Sequence, residues 1–177
     1  RTITVSPSNT AEIDNVEVTD LVENNTITIE VLGEGDYEFS LNSDSGPWQV
    51  SNTFENISAG IYEVFVRDAK NGCGIISTEV SVIGYPKIFT PNGDNFNDVW
   101  QLSGVSEQFQ PNSEVFIFDR YGKLLYTINS FSESWDGTFN GSDLPVNDYW
   151  FYTILEDGRE FRGHFTEMSM NYKTGVG

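Results

Sequence analysis

Apolar residues in this chain recur at every second position, and nowhere do they keep the three-and-four spacing of a helix face. Ile27, Ile29 and Val31 alternate with Thr28 and Glu30, and Tyr62, Val64 and Val66 alternate with Glu63, Phe65 and Arg67. Val80 and Val82 alternate with Glu79 and Ser81. Further on, Val115, Ile117 and Asp119 share one parity and Phe116 and Phe118 the other. A period of two places successive side chains on opposite faces of a strand, whereas a helix needs apolar residues at i, i+3, i+4 and i+7. The chain is therefore predicted to be all-β.

Turn-forming clusters cut this alternation into short runs: Gly33-Glu-Gly35, Asn42 to Pro47, Ala59-Gly60 and Asp68 to Gly74. Short strands separated by such turns every eight to twelve residues, roughly seven of them per domain, argue for a β-sandwich of immunoglobulin type. The second half repeats the grammar. Tyr121-Gly122 offers a hairpin tip at which Gly122 supplies a positive φ, and Glu156-Asp-Gly158 offers another. Gly84 with Tyr85-Pro86 breaks the alternation near the middle of the 177 residues. Two tandem immunoglobulin-like β-sandwiches are expected, at residues 1–83 and 85–167. Residues 168–177 form a tail, and the last seven are polar or small and lack alternation. That tail reads as disordered or as an added extension, and residues 171–177 are expected to be dispensable for folding.

Charge narrows the function classes. Nine basic against 27 acidic side chains give a net charge of −18. Residues 1–83 carry 3 basic and 14 acidic groups (net −11), and residues 84–177 carry 6 and 13 (net −7). A surface acidic throughout repels phosphate backbones, so nucleic acid is not an expected partner. It suits a secreted protein that stays soluble and attracts divalent cations. The one cysteine, Cys73, allows no internal disulfide and is expected to be a free thiol. No apolar run approaches the roughly 18 residues of a membrane helix, and no leader is visible ahead of Arg1, which reads as the start of a fragment.

Catalytic signals are weak. His164 is the single histidine, which excludes a His-Glu-x-x-His zinc pair, and no nucleophile elbow accompanies it. No enzymatic activity is expected.

Five motifs carry a resemblance. Phe89-Thr-Pro-Asn-Gly-Asp-Asn-Phe-Asn-Asp-Val-Trp100 comes first, then Val115-Phe-Ile-Phe-Asp-Arg-Tyr-Gly-Lys123. Trp135-Asp-Gly-Thr-Phe-Asn-Gly141, Leu144-Pro-Val-Asn-Asp-Tyr-Trp150 and Phe161-Arg-Gly163 follow. In this order and spacing the segment from 85 to about 166 closely resembles the gliding-motility-associated C-terminal domain, the type B sorting domain of the type IX secretion system of the Bacteroidota. The first half is similar, less specifically, to repeat modules of large gliding adhesins. Gly35-Asp-Tyr-Glu-Phe-Ser-Leu41, Phe54-Glu-Asn-Ile-Ser-Ala-Gly-Ile-Tyr62 and Val66-Arg-Asp-Ala-Lys-Asn-Gly-Cys73 carry that likeness.

The resemblance implies a secretion signal that directs an adhesin-like cargo through the periplasm and outer membrane to the cell surface. Its implied partners are the outer-membrane type IX translocon pore and its associated shuttle or adaptor barrels. The rival expectation is a carbohydrate- or surface-binding adhesion module with the C-terminal half as stalk. Trp135, Trp150 and Tyr152 would be its sugar stackers. Burial of Trp135 and Trp150 is expected of the sorting reading, and an exposed aromatic platform of the rival.

Candidate site residues follow from the motifs. Asn92, Asp94, Asn97 and Asp98 offer oxygen ligands within seven residues, and two readings stay open: a loop held by Ca²⁺, or an Asx-rich turn capping backbone N–H groups. In both, Phe89, Phe96 and Trp100 are expected to tuck into the core. Arg120, Tyr121, Gly122, Trp135, Asp136, Gly137, Arg162 and Gly163 are the candidate recognition residues.

Overall fold

The computed structural model describes residues 11–70 and 74–168, and these divide into two compact units, 1–83 and 84–177. All described regular structure is strand, with no helix among the described residues. Cys73 and the tail beyond Met168 lie outside the described residues.

Unit 1 comprises β1 (Glu12–Thr19), β2 (Asn25–Leu32), β3 (Tyr37–Leu41), β4 (Thr53–Ile57), β5 (Gly60–Asp68) and β6 (Ile75–Val82). They form two three-stranded antiparallel sheets, β1-β2-β4 and β3-β5-β6. The alternation read from the sequence fills the space between them: Ile27 and Ile29 from β2 meet Phe39, Val64, Val66, Val80 and Val82. Each aliphatic side chain so removed from water contributes about 1.5–3 kcal/mol. The polar Asn25 is buried too, and its amide is occupied: Nδ2 donates to the Ile57 carbonyl at 3.0 Å. The Asp20 carboxylate closes the far end by accepting the Ile83 N–H at 3.0 Å.

Unit 2 comprises β7 (Ile88–Phe89), β8 (Glu114–Phe118), β9 (Leu124–Ile128), β10 (Thr138–Phe139), β11 (Ser142–Asp143), β12 (Asn147–Ile154) and β13 (Glu160–Glu167). One five-stranded sheet runs in the order β7-β13-β12-β8-β9, antiparallel except for the parallel β7/β13 pair. Its opposing layer is thinner than a second full sheet. The β10–β11 ribbon and two isolated bridges, Gly84 with Ser103 and Trp100 with Trp135, supply it.

Aromatic rings fill the gap between these layers. Trp100 stacks on Phe165 at 4.3 Å between ring centres and meets Phe151 at 4.9 Å. Trp135 lies 5.6 Å from Phe89 and 5.3 Å from Tyr149. A buried indole must place its N–H, and both do: Trp100 Nε1 donates to the Pro86 carbonyl at 3.0 Å and Trp135 Nε1 to that of Thr138 at 2.9 Å. Gly163 is obligatory in this packing. A Cβ there would stand 2.6 Å from Phe151 Cε1 and 2.9 Å from the Tyr85 hydroxyl.

Candidate functional site

The outward parity of the central strands builds the candidate site. On β13 the residues Phe161, Gly163, Phe165 and Glu167 face the core, which turns Arg162 and His164 outward. On β12, Tyr149, Phe151 and Thr153 are buried, so Trp150 and Tyr152 face out. Antiparallel register then aligns two rows across three strands. Phe118, Trp150 and His164 form one, and Phe116, Tyr152 and Arg162 the other. Phe116 stacks on Tyr152 at 6.1 Å with 20° between planes, and the Arg162 guanidinium sits 5.0 Å from the Tyr152 ring centre. Glu160, beside the Tyr152 hydroxyl, raises its pKa above the ordinary tyrosine value.

The β8–β9 hairpin walls one end of this face. Gly122 turns the tip at φ +80°, as its position predicts, and donates its N–H to the Asp119 carbonyl at 3.0 Å. The Asp119 carboxylate accepts the N–H groups of Tyr121 and Lys123 at 2.8 and 2.9 Å, which fixes the tip and aims Arg120. An open groove of about 610 Å³ results, with Phe118, Trp150 and Tyr152 along it and Arg120, Arg162 and His164 around it.

Among the candidate recognition residues, the structure brings Arg120, Gly122, Arg162 and Gly163 to this groove, Gly163 through its backbone. Tyr121 stands beside it, 87% exposed. Trp135, Asp136 and Gly137 do not join them. Trp135 is wholly buried, and Gly137 (φ +83°) backs onto the Glu167 carboxyl. The expected burial of Trp150 is corrected: it is 42% exposed, because Phe151 occupies the core parity of β12. Of the three expected sugar stackers, Trp150 and Tyr152 share the outer face and Trp135 does not.

The Phe89–Trp100 loop resolves into Asx turns. Asp98 Oδ1 accepts the N–H groups of Asn92 and Gly93 at 2.9 and 2.7 Å, and Oδ2 accepts that of Asn95 at 2.6 Å. These amides, Gly93 foremost, hold the Asp98 carboxyl below its ordinary range. Asp94 Oδ1 accepts the Phe96 N–H at 2.8 Å, and Asn92 Oδ1 accepts that of Asp94 at 2.9 Å. Asn97 takes a positive φ of 53°, and its carbonyl accepts the Thr90 N–H at 2.7 Å. The side-chain oxygens of Asn92, Asp94 and Asp98 thus face N–H donors, and among the described residues no three His, Cys, Asp or Glu side chains are grouped to hold a metal ion. The hydrogen bonds described are those of Asx turns. Phe89 and Trp100 pin the loop as expected, but Phe96 does not: it is 71% exposed, since its backbone is fixed by Asp94 and needs no buried ring.

One group went unnoticed in the sequence. Glu167 is 1% exposed, and its Oε2 has no hydrogen-bond partner. Burial first, then Asp143 and Asp136, push its pKa up to about 7. The signal was present: Glu167 continues the parity of Phe161, Gly163 and Phe165.

The second unit is thus an all-β domain with an aromatic core and an exposed face that carries aromatic and cationic residues. Residues 83–166, just under half of the chain, match the model of the CHU_C type IX secretion signal domain. This domain is a sorting signal that addresses its chain to the type IX secretion machinery for passage across the outer membrane to the cell surface. No curated protein matches the chain.

Among solved structures, the chain is similar to the dimeric latent PorU of Porphyromonas gingivalis, at 13% identity and a TM-score of 0.33 over 91% of this chain and 20% of that one. It is also similar to PorZ of the same organism, described as an essential bacterial surface component of the type IX secretion system, at 14% identity and a TM-score of 0.39 over 89% of this chain and 23% of that one. A segment of two fibronectin type III domains from chicken tenascin gives 13% identity and a TM-score of 0.30 over 89% of this chain and 99% of that one. The chain spans about a fifth of the length of the two Porphyromonas proteins.

Proposed function

We propose that unit 2 acts as a folded, non-enzymatic address, read in its native state by the outer-membrane type IX translocon pore and its adaptor barrels after export to the periplasm. Unit 1 is the adjoining module of an adhesin-like surface cargo. The observation that carries this reading is the coincidence of boundaries: the family match begins at residue 83 and the compact unit at residue 84. A signal coextensive with one packed domain is suited to recognition of a surface and not of a linear peptide. A preformed face of aromatic and arginine anchors can bind without the ordering entropy that an unfolded signal loses.

The test is delivery. The full chain is fused behind an inert fluorescent protein and expressed in a type IX-competent cell, alongside a fusion carrying residues 84–177 alone. Both fusions should reach the cell surface, and both should be retained in a translocon mutant. Surface arrival that persists in the mutant, or failure of both fusions in competent cells, overturns the reading.

No helix among the described residues is long and apolar enough to cross a membrane. The reading accordingly uses no helical anchor within them.

A further inference from the structure

We propose that the groove on the outer face of β8, β12 and β13 is the surface by which unit 2 is read, and that its occupant is an acidic, aromatic-containing segment of a partner protein. The inference rests on the sorting reading above and names the chemistry of the reader.

Charge distribution carries the first half of the argument. The chain has a net charge of −18, and unit 2 alone is −7, yet this groove gathers Arg120, Arg162 and His164 in its lining against Asp119, with Glu160 at the edge of the same face. Asp119 Oδ1 accepts the N–H groups of Tyr121 and Lys123. Among the described residues, neither Arg120 nor Arg162 has a carboxylate within ion-pair distance. Two guanidinium groups left without an ion pair beside an open groove, in a protein with three acids for every base, complement a partner's carboxylates. Arginine presents a planar fork of donors that takes a carboxylate through two parallel bonds, which adds direction to the attraction.

The floor carries the second half. Trp150 is half-exposed between Phe118 and His164 in the same cross-strand row, and Tyr152 lies next to it under Arg162. Trp, Tyr and Arg are the residues enriched in protein–protein hot spots, and the two aromatic ones bury large rigid surfaces at small entropic cost. Partner side chains of the same planar kind fit between them.

A neutral saccharide fits less well. The lining is dominated by cationic donors, and a neutral saccharide offers no charge to pair with Arg120 and Arg162. The Tyr152 ring is covered by Arg162, which leaves Trp150 alone to stack. A second copy of the chain would bring another −18 of charge to the encounter.

Two measurements test the proposal. In cells, Arg162→Glu in the full-chain fusion should reduce surface delivery about tenfold. Lys70→Glu in unit 1 makes the same charge change and should leave delivery within about twofold of wild type. Equal melting temperatures of the purified variants exclude misfolding as the cause. If wild type is delivered through the translocon and Arg162→Glu is delivered equally well, the groove proposal falls and the sorting reading stands. If wild type is not delivered at all, the sorting reading itself has failed.

In solution, the purified full chain is titrated with a hexapeptide of alternating Glu and Phe, following tryptophan fluorescence. Saturable quenching that disappears in Trp150→Phe and weakens about tenfold in Arg162→Glu supports the proposal. Equal binding of the corresponding Lys/Phe peptide, tighter binding of oligogalacturonate, or concentration-dependent dimerisation that closes the groove would each overturn it.

Discussion

The carboxyl of Glu167 lies against the α-carbon of Gly137, so close that a Cβ built there would stand 3.2 Å from Glu167 Cδ. The Trp135-Asp-Gly137 turn and the end of β13 are therefore fitted to each other. Gly137 also needs φ +83°, a conformation costly for any other L-residue. Gly137→Ala should lower unfolding free energy by about 1–3 kcal/mol in urea titrations. An unchanged midpoint would show that the turn relaxes freely.

Glu167 should make unit 2 more stable in mild acid than at neutral pH. Its carboxyl is raised from 4.5 to about 7 in the folded state, by burial above all and then by Asp143 and Asp136. Tyr149 is the other titratable group facing it, itself raised to about 12, chiefly by burial and then by Glu167, and so a hydroxyl throughout this range. The folded state then binds the extra proton between pH 4.5 and about 7, and stability from this group falls as pH rises through that window. Glu167→Gln should flatten the melting temperature across the window and raise it at pH 8. A slope that survives the substitution would assign it elsewhere.

Asp98→Ala should loosen the Phe89–Trp100 loop, because three N–H groups lose their acceptor at once. Faster amide exchange at Asn92, Gly93 and Asn95 is the expected readout. Chelator should leave the wild-type melting temperature unchanged, since the carboxylate oxygens face amides. A chelator-dependent drop abolished by Asp94→Ala would instead favour a bound cation.

Gly163→Ala should cost more than its size suggests, about 1–3 kcal/mol, as the methyl group meets Phe151 and the Tyr85 hydroxyl inside a full aromatic core. Arg162→Ala next door, pointing to solvent, should leave stability within about 0.5 kcal/mol. Calorimetry of the pair separates the two faces of β13.

The strands were legible because alternation and burial are the same physical fact: Ile27, Ile29, Val64 and Val66 line one core by parity alone. Gly122 was legible for a similar reason, since a hairpin tip demands the backbone that only glycine adopts cheaply. The run from Tyr149 to Tyr152 was not, because four consecutive aromatics carry no polar contrast to say which parity faces water. Cross-strand register decides it, pairing Trp150 with Phe118 and His164. Phe96 misled for the opposite reason, its loop being held by side chains of Asp94 and Asp98 where ring burial was expected. The groove itself combines a hairpin tip with two strands distant in sequence, a juxtaposition that no local pattern encodes.

The parallel pairing of β7 with β13 has a mechanical consequence. The Thr166 N–H donates to the Lys87 carbonyl at 2.9 Å and the Met168 N–H to that of Phe89 at 3.0 Å, joining the first and last strands of unit 2 side by side. Tension applied through the chain before β7 and after β13 would draw these parallel strands past each other lengthwise, loading their bonds together in shear instead of peeling them one by one. A surface protein dragged against a substratum would gain a domain that resists pulling better than its two short bonds suggest, and single-molecule stretching would expose the opposite behaviour as gradual, low-force yielding.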